Sequence, residues 1–77
     1  MKVSIISPEK VLFQGEAERV KLPGEQSAFE VLKNHAPIVS TLVKGVVSCE
    51  GAEPFSVNIR SGFVEVARNE VSVCVEL

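Results

Sequence analysis

The sequence predicts an all-β fold, a small antiparallel β-sandwich or flattened barrel of about eight to nine strands. Three observations predict it. Valine supplies 14 of the 77 residues and isoleucine another 4. Their branched side chains are stiff at χ1 and pack well on a pleated surface. Short alternating runs are punctuated by turn residues about every eight to twelve positions, the spacing of sandwiches and barrels. Nowhere do apolar residues recur at helical spacing over a helix-length window.

The elements follow in order. Lys2-Val3-Ser4-Ile5 alternates polar and apolar until Pro8 stops it. Val11-Leu12-Phe13 is apolar, and Gly15 suggests a bulge or bend. Arg19-Val20-Lys21-Leu22 alternates, placing Val20 and Leu22 on one face, and Pro23-Gly24 is a turn signal. Phe29-Glu30-Val31 alternates again. After Pro37, Ile38 to Val43 is an apolar-rich run broken by Lys44-Gly45. Val46-Val47 is short, and Glu50 to Glu53 is a polar hairpin tip. Phe55 to Arg60 is the clearest amphipathic strand, and Ser61-Gly62 is expected to turn the chain. Phe63 to Val66 and Val71 to Val75 complete the series across Arg68-Asn69-Glu70. The alternation predicts a core of Val20, Leu22, Val57, Ile59, Val64, Val66, Val71, Val73 and Val75.

Length and charge narrow the function classes. Residues 1–77 make one small domain with no linker, repeat or low-complexity segment. The net charge is −2, from 8 basic and 10 acidic residues, with no basic run. Nucleic-acid binding and a polybasic membrane patch are both disfavoured, because each needs clustered positive charge. No apolar stretch approaches the roughly 20 residues of a membrane span, so no membrane insertion is expected. The start is too short and polar for a signal peptide, which points to a cytosolic chain. Cys49 and Cys74 are then expected as reduced thiols, not a disulfide framework.

The inventory of chemistry is poor. His35 is the one histidine, and it could serve as a base for Ser40 or Cys49. Nothing marks an orienting acid or an oxyanion hole, so a loop or partner role suits it better. Two distant cysteines and one histidine do not form a zinc set. The glycines at 15, 24, 45, 51 and 62 never approach a phosphate-binding spacing. Scattered glutamates fit a solvated surface. No cofactor and no catalytic residue is expected. Lys33 permits one alternative, a free-standing lipoyl- or biotinyl-like carrier or other β interaction module, although its neighbours lack the residues that flank a carrier lysine. A module without chemistry acts through its surfaces.

Four ordered segments carry a resemblance. Ser7-Pro8-Glu9-Lys10-Val11-Leu12-Phe13-Gln14-Gly15-Glu16 is similar to the opening of the ε subunits of F-type ATP synthases. Leu22-Pro23-Gly24, with Phe29-Glu30-Val31-Leu32 and His35-Ala36-Pro37, resembles that family's most specific region. Ser61 to Val66 resembles its late glycine turn and following strand, and Val71-Ser72-Val73 follows in order. The chain departs from the pattern at Ser27, Glu30, Asn34 and Ser61, where the family commonly has glycine, and at Ala28, where an acid is common. Asn34 can keep its turn, because asparagine tolerates a left-handed backbone.

The resemblance implies a non-catalytic rotor subunit in a hetero-oligomeric complex. It would fasten the γ subunit to the polar loops of the membrane c-ring and couple proton-driven rotation to ATP synthesis. It places Ser7, His35, Ala36, Pro37 and Ser40 towards γ. It places Glu25, Gln26, Ser27, Ala28 and Glu30 in a loop facing the c-ring. Pro23, Gly24 and Gly62 would be structural turn residues, Gly62 at a positive φ. The location implied is peripheral, on the cytoplasmic face of the energy-transducing membrane. Family members commonly continue into a helical hairpin, and this chain is expected to be a short form without that domain, its inhibitory role or its ATP binding.

Overall fold

The computed structural model describes residues 1–77 and contains nine strands and no helix. The strands are β1 Lys2–Ile6, β2 Val11–Glu16, β3 Arg19–Pro23, β4 Ala28–Leu32, β5 Ile38–Leu42, β6 Gly45–Glu50, β7 Phe55–Ile59, β8 Ser61–Ala67 and β9 Glu70–Glu76. They form a sandwich of two sheets, ordered β2-β1-β9-β8-β5 and β4-β3-β6-β7. The predicted all-β sandwich is what forms, without closing into a barrel. The sheets meet at one corner, where Gly24 bridges Leu42. Near the opposite edges Phe13 of β2 stacks on Phe55 of β7 with ring centroids 5.1 Å apart.

One seam departs from the antiparallel expectation. β1 pairs with β2 antiparallel but with β9 parallel, Val3 beside Val71 and Ile5 beside Val73. The first strand fills the place between β2 and β9 in the middle of the sheet. Hairpin patterns specify local neighbours only, so they carry no information about this long-range pair.

Alternation places the core. Val3, Ile5, Val64, Val66, Val71, Val73 and Val75 of the larger sheet meet Val20, Leu22, Val31, Val47, Cys49 and Ile59 of the smaller one, all buried. Eight of the nine predicted core residues are buried, whereas Val57 is only half-buried, because β7 is an edge strand with one open flank. Met1 and Ala17 close one end through reciprocal bonds: Met1 N donates to the Ala17 carbonyl at 3.1 Å, and Ala17 N–H to the Met1 carbonyl at 3.0 Å.

Three local expectations change. The β1–β2 irregularity falls opposite Ile5/Ile6, where Leu12 is the extra residue, and not at Gly15. Ser61 and Gly62 do not turn the chain but begin β8, and the chain changes sheets at Arg60, whose N–H donates to the Glu76 carbonyl at 2.7 Å. Gly62 is not among the residues at positive φ. It is glycine because a Cβ there would collide with the Cys74 carbonyl oxygen and stand 3.2 Å from Val75 Cα. Asn34 does adopt the left-handed backbone, with φ 62°.

Candidate functional site

With the inward faces buried, function falls to the two outward faces and the loops at their ends. The outward face of the smaller sheet is charged at its centre, with Leu32 and Val46 exposed singly at opposite ends of it. Arg19 and Glu50 are register partners on β3 and β6, as are Lys21 and Ser48, and Lys21 also pairs with Glu30 on β4. Arg19 Nε lies 3.4 Å from Glu30 Oε1, and its Nη1 lies 3.4 Å from Glu50 Oε1. Lys21 Nζ lies 3.2 Å from Glu50 Oε2. These pairs are half exposed and add little stability each, but they leave a hydrated surface with its charges matched internally.

The outward face of the larger sheet divides along its length. Towards the β8–β9 hairpin it is polar: Glu16, Lys2 and Glu70 are register neighbours, as are Gln14, Ser4 and Ser72. Towards the other end it is apolar. Ile6 lies beside Cys74, Cys74 beside Phe63, and Phe63 beside Thr41, a row that crosses β1, β9, β8 and β5. Val39, 74% exposed, sits two residues before Thr41 on β5, and Phe63 is 50% exposed. A groove of about 620 Å³ runs over this end, lined among others by Ile6, Ser7, Pro8, Thr41, Phe63 and Cys74. Ile6, Val39, Phe63 and Cys74 were missed as surface residues by sequence reasoning. The available signal was phase: each is apolar on the outward beat of its strand.

Ser7 follows β1 at the groove; its N–H donates to the Lys10 carbonyl at 2.9 Å and closes the β1–β2 turn. His35, Ala36 and Pro37 lie on the crossing from β4 to β5, at the far end of β5 from Ser7. The His35 N–H donates to the Leu32 carbonyl at 3.1 Å, and its Nδ1 lies 2.7 Å from the Ala36 carbonyl, the geometry of an Nδ1–H donor. Ser40, between them, has Val64 as its register partner and so belongs to the inward phase of an edge strand. Its hydroxyl donates to the Thr41 carbonyl at 3.1 Å. His35, Ala36, Pro37 and Ser40 therefore lie along the β5 edge of the larger sheet, whereas Ser7 follows β1 three strands away, and the five do not converge on a single point.

The loop expected from Glu25 to Glu30 is shorter in the structure. Gly24 to Ser27 connect β3 to β4, while Ala28 and Glu30 are strand residues paired with Pro23 and Lys21. Pro23 ends β3 and is not itself in the turn; the chain bends after Gly24, where a Cβ would stand 2.6 Å from the Ser27 carbonyl oxygen. Glu25 reaches across to β5 and accepts a hydrogen bond from Thr41 Oγ1 at 2.8 Å. Lys33 lies in the exposed turn between two different sheets, 3.1 Å from Glu18, and not at the tip of a hairpin.

Neither cysteine is bonded to another. Cys49 is buried and Cys74 half-buried. Burial pushes the Cys49 thiol from its ordinary 9.0 up to about 11. No three His, Cys, Asp or Glu side chains gather where they could hold a metal ion. No helix is long and apolar enough to cross a membrane.

Over residues 1–77 the sequence matches the family described as ATP synthase, Delta/Epsilon chain, beta-sandwich domain. The chain belongs to this ATP synthase delta/epsilon family. It is 40% identical over 77 residues to the ATP synthase epsilon chain of Leptospira interrogans, covering 99% of this chain and 61% of that one. It is 38% identical over 74 residues to the epsilon chain of Caulobacter vibrioides, covering 95% and 86% respectively. Among solved structures it matches a chain in the central stalk/c-ring of Tetrahymena thermophila mitochondrial ATP synthase with a TM-score of 0.83 and 15% identity, covering 99% of this chain and 63% of that one. A chain of the Euglena gracilis mitochondrial ATP synthase matches with a TM-score of 0.86 and 17% identity, covering 95% and 48%. At those identities the likeness is one of fold. The chain spans about three-fifths of the Leptospira relative's length, the part of a delta/epsilon chain that is β-sandwich.

Proposed function

We propose that the chain is a non-catalytic central-stalk subunit of an F-type ATP synthase. It would fasten γ to the c-ring so that proton-driven rotation reaches the catalytic head. The observation that carries this reading is the asymmetry of the two outward faces. One is a ladder of matched charges that separates two lone apolar side chains, Leu32 and Val46. The other bears an apolar row from Ile6 through Cys74 to Phe63, with Val39 beside it. A protein interface takes its energy from such an apolar centre inside a polar rim. We assign γ to that face, with Ser7 at the β1 side of the row and His35, Ala36, Pro37 and Ser40 along the β5 edge.

The Gly24–Ser27 loop is assigned to the c-ring, with Ala28 and Glu30 continuing from it along β4. It lies at the same end of the sandwich as the groove, since Gly24 bridges Leu42. A two-sheet sandwich packed through its middle deforms little under load, which suits a part that transmits torque. The complex would sit on the cytoplasmic face of the energy-transducing membrane.

Co-purification with γ tests the reading. Replacing Phe63 and Val39 together by lysine puts two charges on the proposed interface at exposed positions, so the fold survives. Affinity for γ is expected to fall at least thirtyfold, roughly the loss of one interface hot spot. Lys21→Glu on the opposite face should leave it unchanged. Equal γ binding by all three proteins would remove γ from this face.

A further inference from the structure

The loop proposed to meet the c-ring is joined to the strand proposed to border γ by three contacts. Gly24 bridges Leu42, and the Val43 N–H donates to the Pro23 carbonyl at 2.9 Å. Both are backbone contacts at the base of the loop. The third is made by side chains further out: Thr41 Oγ1 donates to Glu25 Oε1 at 2.8 Å. It is shorter than the one other hydrogen bond between two side chains, Arg19 to Glu50 at 3.4 Å. Thr41 is also the register partner of Phe63 and lines the apolar groove. One residue therefore borders the surface proposed for γ and holds the acid of the loop proposed for the ring.

We propose that Thr41 is a positioning residue that locks the Gly24–Ser27 loop to β5, so that both contacts turn as one rigid body. The inference rests on the rotor reading above. Its physical content is specific. A four-residue loop held only at its base can rock about Pro23 and Ala28, which lets its contact yield and slip under load. A charge-assisted bond from a β-branched strand residue removes that freedom, and a partner covering Thr41 would exclude water from the bond and strengthen it.

The test pairs Thr41→Val, which keeps shape and strand preference but removes the donor, with Thr41→Ser, which restores it. Glu25→Ala removes the acceptor instead. In the isolated chain, backbone 15N order parameters at Glu25 to Ser27 are expected to fall from the rigid range of about 0.85 towards about 0.6 in Thr41→Val and Glu25→Ala and to return to the parent values in Thr41→Ser. Unchanged order parameters in both donor and acceptor variants would overturn the lock. In the assembled synthase in vesicles, protons pumped per ATP hydrolysed should fall for Thr41→Val and recover for Thr41→Ser, with γ still bound. Lowered order parameters with an unaltered ratio would overturn the role in coupling. Failure of the parent chain to bind γ at all would sink the rotor reading and leave the lock standing.

Discussion

The backbone N–H of Asn34 donates to the side-chain Oδ1 of Asn69 at 2.8 Å, tying together two left-handed residues 35 positions apart. Asn34 ends the turn after β4 in one sheet, and Asn69 is the second residue of the β8–β9 hairpin in the other. Arg68 and Asn69, at φ 54° and 61°, give that two-residue hairpin the positive φ pair a type I′ turn requires. The bond pins the β4–β5 crossing, and with it His35, to the end of the larger sheet.

Asn69→Gly keeps the backbone shape and loses the side-chain acceptor, so it should cost about 0.5–1.5 kcal/mol. Asn69→Val loses the acceptor and forces a β-branched residue into the left-handed region, adding roughly 1–3 kcal/mol. Urea unfolding should rank the midpoints parent, Gly, Val. A valine variant as stable as the glycine variant would show that the turn does not constrain this residue.

Gly62→Ala should be among the most damaging of the small substitutions. The new Cβ would meet the Cys74 carbonyl oxygen in a strand held on both sides, by β5 and by β9. Backbone must move in the middle of the sheet, at a cost of about 2 kcal/mol or more. A fall in melting temperature of several degrees checks it, and an unshifted transition would contradict the close approach.

Val73→Asp places a carboxylate where the parent side chain is 1% exposed. No side-chain cation lies among the buried residues to pair with it, and the one buried ammonium, at Met1, is held by the Ala17 carbonyl and Glu16. The cost is several kcal/mol, enough to unfold a small domain. Circular dichroism should show loss of the strand signal at neutral pH, and a native-like spectrum would overturn the placement of Val73 at the centre of the core.

The two thiols should react very differently. An aromatic disulfide reagent at neutral pH should modify the half-buried Cys74 first and reach the buried Cys49 only after unfolding. Cys49 also makes stability depend on alkali. Its folded pKa, about 11, lies above the ordinary 9.0, so the unfolded chain ionises first as pH rises. The stabilising effect is complete below pH 9 and is lost between pH 9 and about 11, on the order of 2 kcal/mol in all. Cys49→Ala should lack that portion of the alkaline decline; an identical decline would assign it to other groups.

Alternation and turn chemistry carried the local structure. The runs around Val20, Ile59, Val64 and Val73 alternate strictly, and a period of two leaves one choice of buried face, so strands and core were legible there. Asn34 was legible too, because few residues other than glycine tolerate its backbone. Val57 escaped because alternation marks a face but not whether the strand carrying it is central or at an edge. The family was legible as well, since four motifs in one order are a long pattern.

Tertiary structure alone decided three things. The parallel seam between β1 and β9 joins the two ends of the chain, and no local pattern records a partner nearly 70 residues away. The need for glycine at 62 lies in the Cys74 carbonyl of the neighbouring strand, which no turn signal announces. The apolar row of Ile6, Cys74 and Phe63 exists only once those strands are placed side by side, as does the reach of Thr41 to Glu25. Side-chain period is a property of one strand, fixed by its own backbone. A surface, and the contacts that brace it, belong to the order in which strands are laid against one another, and that order is set by long-range burial.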